Sequence, residues 1–360
     1  MAQQGSDNSS SDDDNQGNTM MTTMFVEYQS LMLTSQGKQK PDASGNQGFS
    51  PHVKMTVALR ILVYRYPADA IDEYLKIAAS TSSDTLKNFC RAVNAVHGEE
   101  YLRRPNNADM VRLLKKAEQR GFPGMLGSVD CMHWEWKNCP TAWAGTYSGR
   151  HGKPTIILEA VASYDTWIWH SYFGPPGVCN DFNVLYSSPI FNDVVEGLAT
   201  NIRFTINGRV YKQGYYLADG IYPCWSTIVQ AIPDPQGRDK QLFTRLQEAY
   251  RKDVERTFDI LQSRFEFITG PCRLWHNAQI GEVMKCCIIL HNMIVEDNRN
   301  QEGDDFVEHV QQQPVDRDPI TIAEYLSNRA GLTDTTHYFM LRNDLVEHVW
   351  KEYRDGNLNV

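Results

Sequence analysis

Three carboxylates sit in stretches whose patterns would carry them to one end of a sheet. Asp130 closes the apolar run MLGSVD, Asp219 closes YYLAD, and Glu255 lies inside RKDVERTFDILQSRF. Carboxylates brought together without cations raise one another's pKa values. A hard divalent ion removes that cost, and Mg²⁺ takes oxygen ligands while keeping several waters. Two such ions about 4 Å apart activate a water or a 3′-hydroxyl and steady the leaving oxygen of a phosphodiester. The chemistry expected of the trio is therefore in-line phosphoryl transfer on nucleic acid. Histidine-rich or cysteine-rich clusters would point to zinc instead. The same residues also admit a structural reading, in which Asp130 and Asp219 cap turns and Glu255 pairs with Arg251, four residues earlier. With 44 acidic residues in the chain, spacing alone does not choose between the two.

Each acid needs an element to hold it. Leu246, Tyr250, Val254, Phe258, Leu261 and Phe265 recur at helical spacing and predict a long helix over about 239–265 with an apolar seam. Glu255 lies one residue past Val254, so it falls at the edge of that seam, about 100° round the helix. MLGSVD and YYLAD read as short strands ending in the two aspartates, and KPTIILEAVASY and TWIWHSYFG as β-rich runs with Asp165 in the turn between them. DFNVLYSSPIFNDVVEGLA and EVMKCCIILHNMIVED read as helices, and a last helix covers about 336–353. Strands interspersed with helices predict an α/β fold, a mixed sheet flanked by helices.

Ahead of these, residues 1–50 are polar and of low complexity, with disorder expected over 1–18, and order expected from about Pro51. The 51–120 segment is predicted helical. ADAIDEYLKIAA and TLKNFCRAVNAVHG would be two short helices across the polar turn STSSD, with Ser82 and Ser83 as N-cap candidates. That arrangement suits a helix-turn-helix as well as a plain helical hairpin. The main domain is placed at 121–297, an acidic flexible segment at 298–318 and a helical segment at 319–360.

The chain of 360 residues carries a net charge of −9. Acidity gathers at the ends, with −4 over residues 1–50 and −7 over 297–360, while 51–120 carries 12 basic against 8 acidic groups. Overall acidity argues against non-specific nucleic-acid binding by the whole chain. Eight cysteines form no CxxC pair, so a reducing compartment is expected. No apolar run reads as a membrane span, and no signal core opens the chain. Trp134, Trp136, Trp143, Trp167 and Trp169 are candidates for base stacking, although alternation at Trp167 and Trp169 fits sheet packing better. WEWKNCPTAWAGTYSGRHGK reads as a long loop whose Lys137, Arg150, His151 and Lys153 could meet a phosphate backbone.

GMLGSVDCMHWEWKNCPTAW, HGKPTIILEAVAS, WIWHSYFG, NDFNVL, LADGIYP and RKDVERTFDILQSRF together resemble the PIF/Harbinger transposases, in particular the Pong-like group, a family that includes transposase-derived nucleases. The resemblance runs from about Ser50 to Asp297. It implies an RNase H-like fold and an Asp-Asp-Glu triad holding divalent metal, Mg²⁺ or Mn²⁺, as two ions. The G-x-x-D-x-x-H motif places the first acid at Asp130, with Gly127 and His133. D-x-x-Y-P places the second at Asp219, and V-E-R-x-F the third at Glu255. His133 and Asp181 also fall in family motifs, as candidates for supporting the triad or touching phosphate. The family usually has more helices ahead of SPHVKMTVALRILVYRYPADAIDEY, and often glycine where Arg65 and Asp259 stand here. What the resemblance implies is a DNA endonuclease or strand transferase in the nucleus, acting beside a Myb-like DNA-binding partner, with no membrane association and an oligomeric state left open. The rival is a domesticated scaffold that keeps the fold without catalysis.

Overall fold

The structure, a computed structural model, describes residues 48–65, 77–149, 152–198, 202–302 and 320–358. The expectations for residues 1–47, for most of the first helix of the proposed pair (68–76), and for 303–319 lie outside these.

A five-stranded mixed sheet organises the chain, in the order β3-β2-β1-β6-β7. Its strands are β1 (Met125–Glu135), β2 (Thr155–Ala162), β3 (Ile168–Pro176), β6 (Tyr215–Ala218) and β7 (Ile228–Gln230). The first three are antiparallel neighbours, whereas β1–β6 and β6–β7 run parallel. With helices packed on both faces, this is an RNase H-like fold. A separate hairpin, β4 (Phe204–Ile206) and β5 (Arg209–Tyr211), turns at Asn207 and Gly208, both left-handed at φ 49° and 82°. An Asn-Gly pair takes that conformation readily.

The helices are α1 (Pro51–Tyr64), α2 (Ala79–Tyr101), α3 (Asn107–Gln119), α4 (Thr141–Tyr147), α5 (Asp181–Ser187), α6 (Asn192–Val195), α7 (Arg238–Arg264), α8 (Glu266–Thr269), α9 (Asn277–Glu302), α10 (Ile322–Leu332) and α11 (Thr335–Arg354). One sheet face packs on α7. Met132 and Trp134 join Val254, Phe258 and Leu261 there, and Leu217 and Val229 join Leu242, Phe243 and Leu246. The other face, through Val129, Val161, Ala218 and Ile228, covers Leu185, Phe191 and Val195 around α5 and α6. The switch of partner at every second residue is the strand's own period. All eight residues of β2 are buried, as an interior strand requires.

Several expectations change. The polar run at 80–84 is no turn: it lies within α2, with Ser82 fully buried, and Ala78, not a serine, precedes the helix. STSSD instead forms the first turn of α2, which begins at Ala79. The apolar run read as ending at Asp130 continues to Glu135, which leaves Asp130 in mid-strand. The loop after it contains α4, and Trp134 and Trp136 are core residues. The acidic segment placed at 298 is still helix as far as Glu302.

Asn277–Arg299 in α9 is long and apolar enough to cross a membrane, which the sequence reading passed over. Here it is a core helix, with Cys286, Cys287, Ile289 and Leu290 fully buried.

Candidate active site

Asp130 lies within β1, and Asp219 directly follows the last residue of its parallel neighbour β6. Ser128 pairs with Leu217, and each acid lies two residues further along its own strand direction. The register is set by a bulge between Met125 and Gly127. Gly127 has φ 154°, and a Cβ there would meet the Ala162 carbonyl oxygen at 2.5 Å. Only glycine lets β1 pass β2 so closely at this point.

Helix α7 supplies the third acid and fixes its height. The buried Gln247 donates from Nε2 to the Ala218 and Val229 carbonyls, at 2.9 and 3.0 Å, where β6 and β7 end. Ser128 Oγ donates to the Tyr250 carbonyl at 2.9 Å, so β1 is tied to the same helix. Four residues on from Gln247 is Arg251, and four more is Glu255, a polar stripe beside the apolar seam.

Arg251 joins two of the acids. Its Nη1 lies 3.3 Å from Asp130 Oδ2 and 2.5 Å from Glu255 Oε1. Asp130 Oδ1 also accepts from the Cys131 amide at 2.8 Å. Burial is the largest influence on Asp130 and raises its pKa to about 6, and the charges of Asp181 and Asp219 push the same way. The Cys131 amide and Arg251 oppose them. Asp219 caps its own turn, accepting from the Ile221 amide at 2.8 Å. Of the structural reading, Asp219 caps a turn and Glu255 pairs with Arg251, whereas Asp130, in mid-strand, caps none.

Among the described residues, no three His, Cys, Asp or Glu side chains are grouped so as to hold a metal ion. Asp130 and Glu255 meet on one guanidinium, and Asp219 acts on Asp130 through its charge. The donor chemistry, carboxylate oxygens about a cationic group, matches a hard divalent ion. In this arrangement Arg251 is the cation that Asp130 and Glu255 share.

The other candidates fall as follows. His133 Nδ1 is 3.0 Å from Thr155 Oγ1, on the exposed side of β1. Asp181 opens α5, but Asn180 caps that helix, and Asp181 bears on Asp130 and Cys131 through charge. Lys137 is exposed, and Lys153 pairs with Glu135 at 3.2 Å. Arg150 and His151 lie outside the described residues.

One group escaped the sequence reading. Glu159 is fully buried, with neither side-chain oxygen hydrogen-bonded, and lies 3.5 Å from His170. It pairs across the sheet with Cys131, whose thiol lies 3.6 Å from the Tyr222 hydroxyl. A carboxylate inside the otherwise apolar TIILEAVA was the available signal.

Residues 99–302, more than half of the chain, match the family described as plant transposon protein. Four relatives share the printed name "Putative nuclease HARBI1". The one from Bos taurus is 21% identical over 70% of this chain and 69% of its own. The one from Homo sapiens is 20% identical over the same shares, and the one from Mus musculus 21% over 69% and 68%. No solved structure matches the chain.

Proposed function

This chain belongs to the plant transposon protein family, of Harbinger transposase descent, and from that premise we propose that it is a divalent-metal-dependent DNA endonuclease or strand transferase. What supports the reading is the contact of one guanidinium with two of the acids on the α7 face of the sheet. Asp130 and Glu255 share Arg251, and Asp219 directly follows the end of β6, the parallel neighbour of β1. Nuclease chemistry is what the relatives' printed name states of them, and it supports the reading here.

Asp130, Asp219 and Glu255 would hold Mg²⁺ or Mn²⁺, as two ions. The metal would supply activation of the attacking oxygen and charge neutralisation at the phosphodiester. The chain's own part is positioning. Gln247 and Ser128 tie α7 to β6 and β1, beside the segments that carry Asp130, Asp219 and Glu255. Arg251 compensates Asp130 and Glu255 when no other cation is near. Water attack would give hydrolysis, and attack by a DNA 3′-hydroxyl would give strand transfer. We place the protein in the nucleus, with a Myb-like partner contributing cationic contacts to phosphate that an acidic chain lacks.

The test is Mn²⁺-dependent nicking of plasmid DNA by the full chain, with and without such a partner. Nicking that disappears in Asp219→Asn supports the enzyme. A second reading is favoured by the Arg251 bridge itself, which satisfies Asp130 and Glu255 without metal: a non-catalytic scaffold in a nuclear complex. No nicking and no metal-induced stabilisation, under either condition, selects the scaffold.

A further inference from the structure

Among the stretches of this acidic chain without a carboxylate, two are brought together by the fold. Residues 136–158 and 267–281 carry none of its 44 acidic side chains. The fold joins them into one surface. The Lys137 amide donates to the Cys272 carbonyl at 2.9 Å, Trp136 Nε1 to the Leu274 carbonyl at 2.8 Å, and Asn138 Nδ2 to the Arg273 carbonyl at 2.5 Å.

On that surface two large aromatic side chains are left in solvent, Trp143 at 48% and Trp275 at 65% exposure. Trp143 stacks on Tyr147 with ring centroids 6.3 Å apart, and the buried Trp136 backs both rings. Lys137, Arg273 and His276 are exposed beside them. Exposed aromatics on a rigid aromatic base, with exposed cations in the same segments, are the composition of a surface that stacks unpaired bases and follows a phosphate backbone.

The location fits a strand leading to the acids. Trp136 lies six residues beyond Asp130 along β1 and its continuation, roughly 20 Å at about 3.3 Å per residue. A nucleic-acid strand rising about 3.4 Å per nucleotide covers that span in about six steps.

We propose that Trp143 and Trp275 form a platform for unpaired bases of a DNA strand flanking the site of cleavage. The platform favours single-stranded or frayed DNA over a closed duplex. Its link to cleavage rests on the nuclease reading, but binding can be tested apart from it.

The experiment measures binding of the full chain, in EDTA, to a fluorescent 20-nucleotide oligothymidylate and to a blunt 20-base-pair duplex. The double variant Trp143→Leu/Trp275→Leu is expected to bind the single strand about tenfold more weakly, with the duplex little affected. Tryptophan emission of the wild type should fall as the single strand binds. Because Trp143 touches core aromatics, Trp275→Leu alone is measured as well, and unfolding midpoints are compared. A loss below threefold in the double variant, at an unchanged midpoint, overturns the platform, as does an equal loss on the blunt duplex. Mn²⁺-dependent cleavage and its loss in Asp219→Asn decide the nuclease reading separately, so either can fail alone.

Discussion

Arg251 Nη1 lies 3.3 Å from Asp130 Oδ2, and the same nitrogen reaches Glu255. The guanidinium therefore crosses from α7 to β1 and joins two acids separated by 124 intervening residues. Removing it leaves Asp130, largely buried, without its compensating charge. Arg251→Gln is expected to cost about 1–3 kcal/mol at pH 7.5 without metal. The loss should shrink at pH 5, where Asp130 is protonated. Denaturant unfolding at the two pH values checks both statements.

The raised pKa of Asp130 has its own consequence for stability. The pKa in the folded chain is about 6, against 3.8 for the free side chain. The folded state thus binds the proton more tightly, and this contribution is fully present below about 3.8 and lost as pH rises through 6. Asp130→Asn mimics the protonated form. In EDTA it should be more stable than the wild type by about 1–2 kcal/mol at pH 7.5, and equal to it near pH 3.5. Thermal unfolding across that range measures the difference, and a variant that is no more stable at pH 7.5 contradicts the prediction.

His291 pulls in the opposite direction. Burial is the largest influence on it and holds its pKa down to about 3, with Nε2 against the Thr166 carbonyl at 2.8 Å and Nδ1 facing Arg264 at 3.1 Å. Its pKa is lowered on folding, so the unfolded chain takes the proton first. Stability should fall as pH drops from 6.5 toward 3. His291→Gln should flatten that slope between pH 6.5 and 4, although it lowers stability at neutral pH. Urea midpoints at each pH give the slope directly.

Gln247 offers a test of positioning without touching an acid. Gln247→Met keeps the bulk and removes both hydrogen bonds to Ala218 and Val229. The expected cost is about 2–3 kcal/mol, from two buried carbonyls losing their donor. If nicking occurs in the wild type, it should fall at least tenfold in this variant, because Asp219 follows Ala218 directly. A variant that loses stability but not activity would detach Gln247 from the site.

Gly127 tests the strand register. Gly127→Ala would set a Cβ 2.5 Å from the Ala162 carbonyl oxygen, at a φ of 154°. A loss of about 2–4 kcal/mol is expected, larger than an ordinary glycine-to-alanine change in a strand. Chemical denaturation checks it.

What the sequence made legible was whatever repeats. The seam from Leu246 to Phe265 predicted α7 almost to the residue, because six apolar side chains share one helical phase. YYLA was legible as a strand because a turn follows at once. Asp130 was misplaced for a physical reason. Cys131, His133 and Glu135 on one side of β1 made the run look finished, while Met132 and Trp134 continue it on the core side. STSSD looked like a turn because serine and threonine favour caps, yet packing of α2 against its neighbours overrides that preference. The roles of Arg251 and Gln247 depend on where β1 and β6 stop relative to α7, and no local pattern carries that information.

The central claim is that Asp130, Asp219 and Glu255 bind divalent metal together. Anomalous diffraction from crystals of the full chain grown with Mn²⁺ tests it most directly. At least one manganese peak is expected about 2.0–2.3 Å from oxygens of all three acids, with Arg251 swung away from Asp130. No manganese peak among these carboxylates at saturating metal, with Arg251 still bridging Asp130 and Glu255, would contradict it.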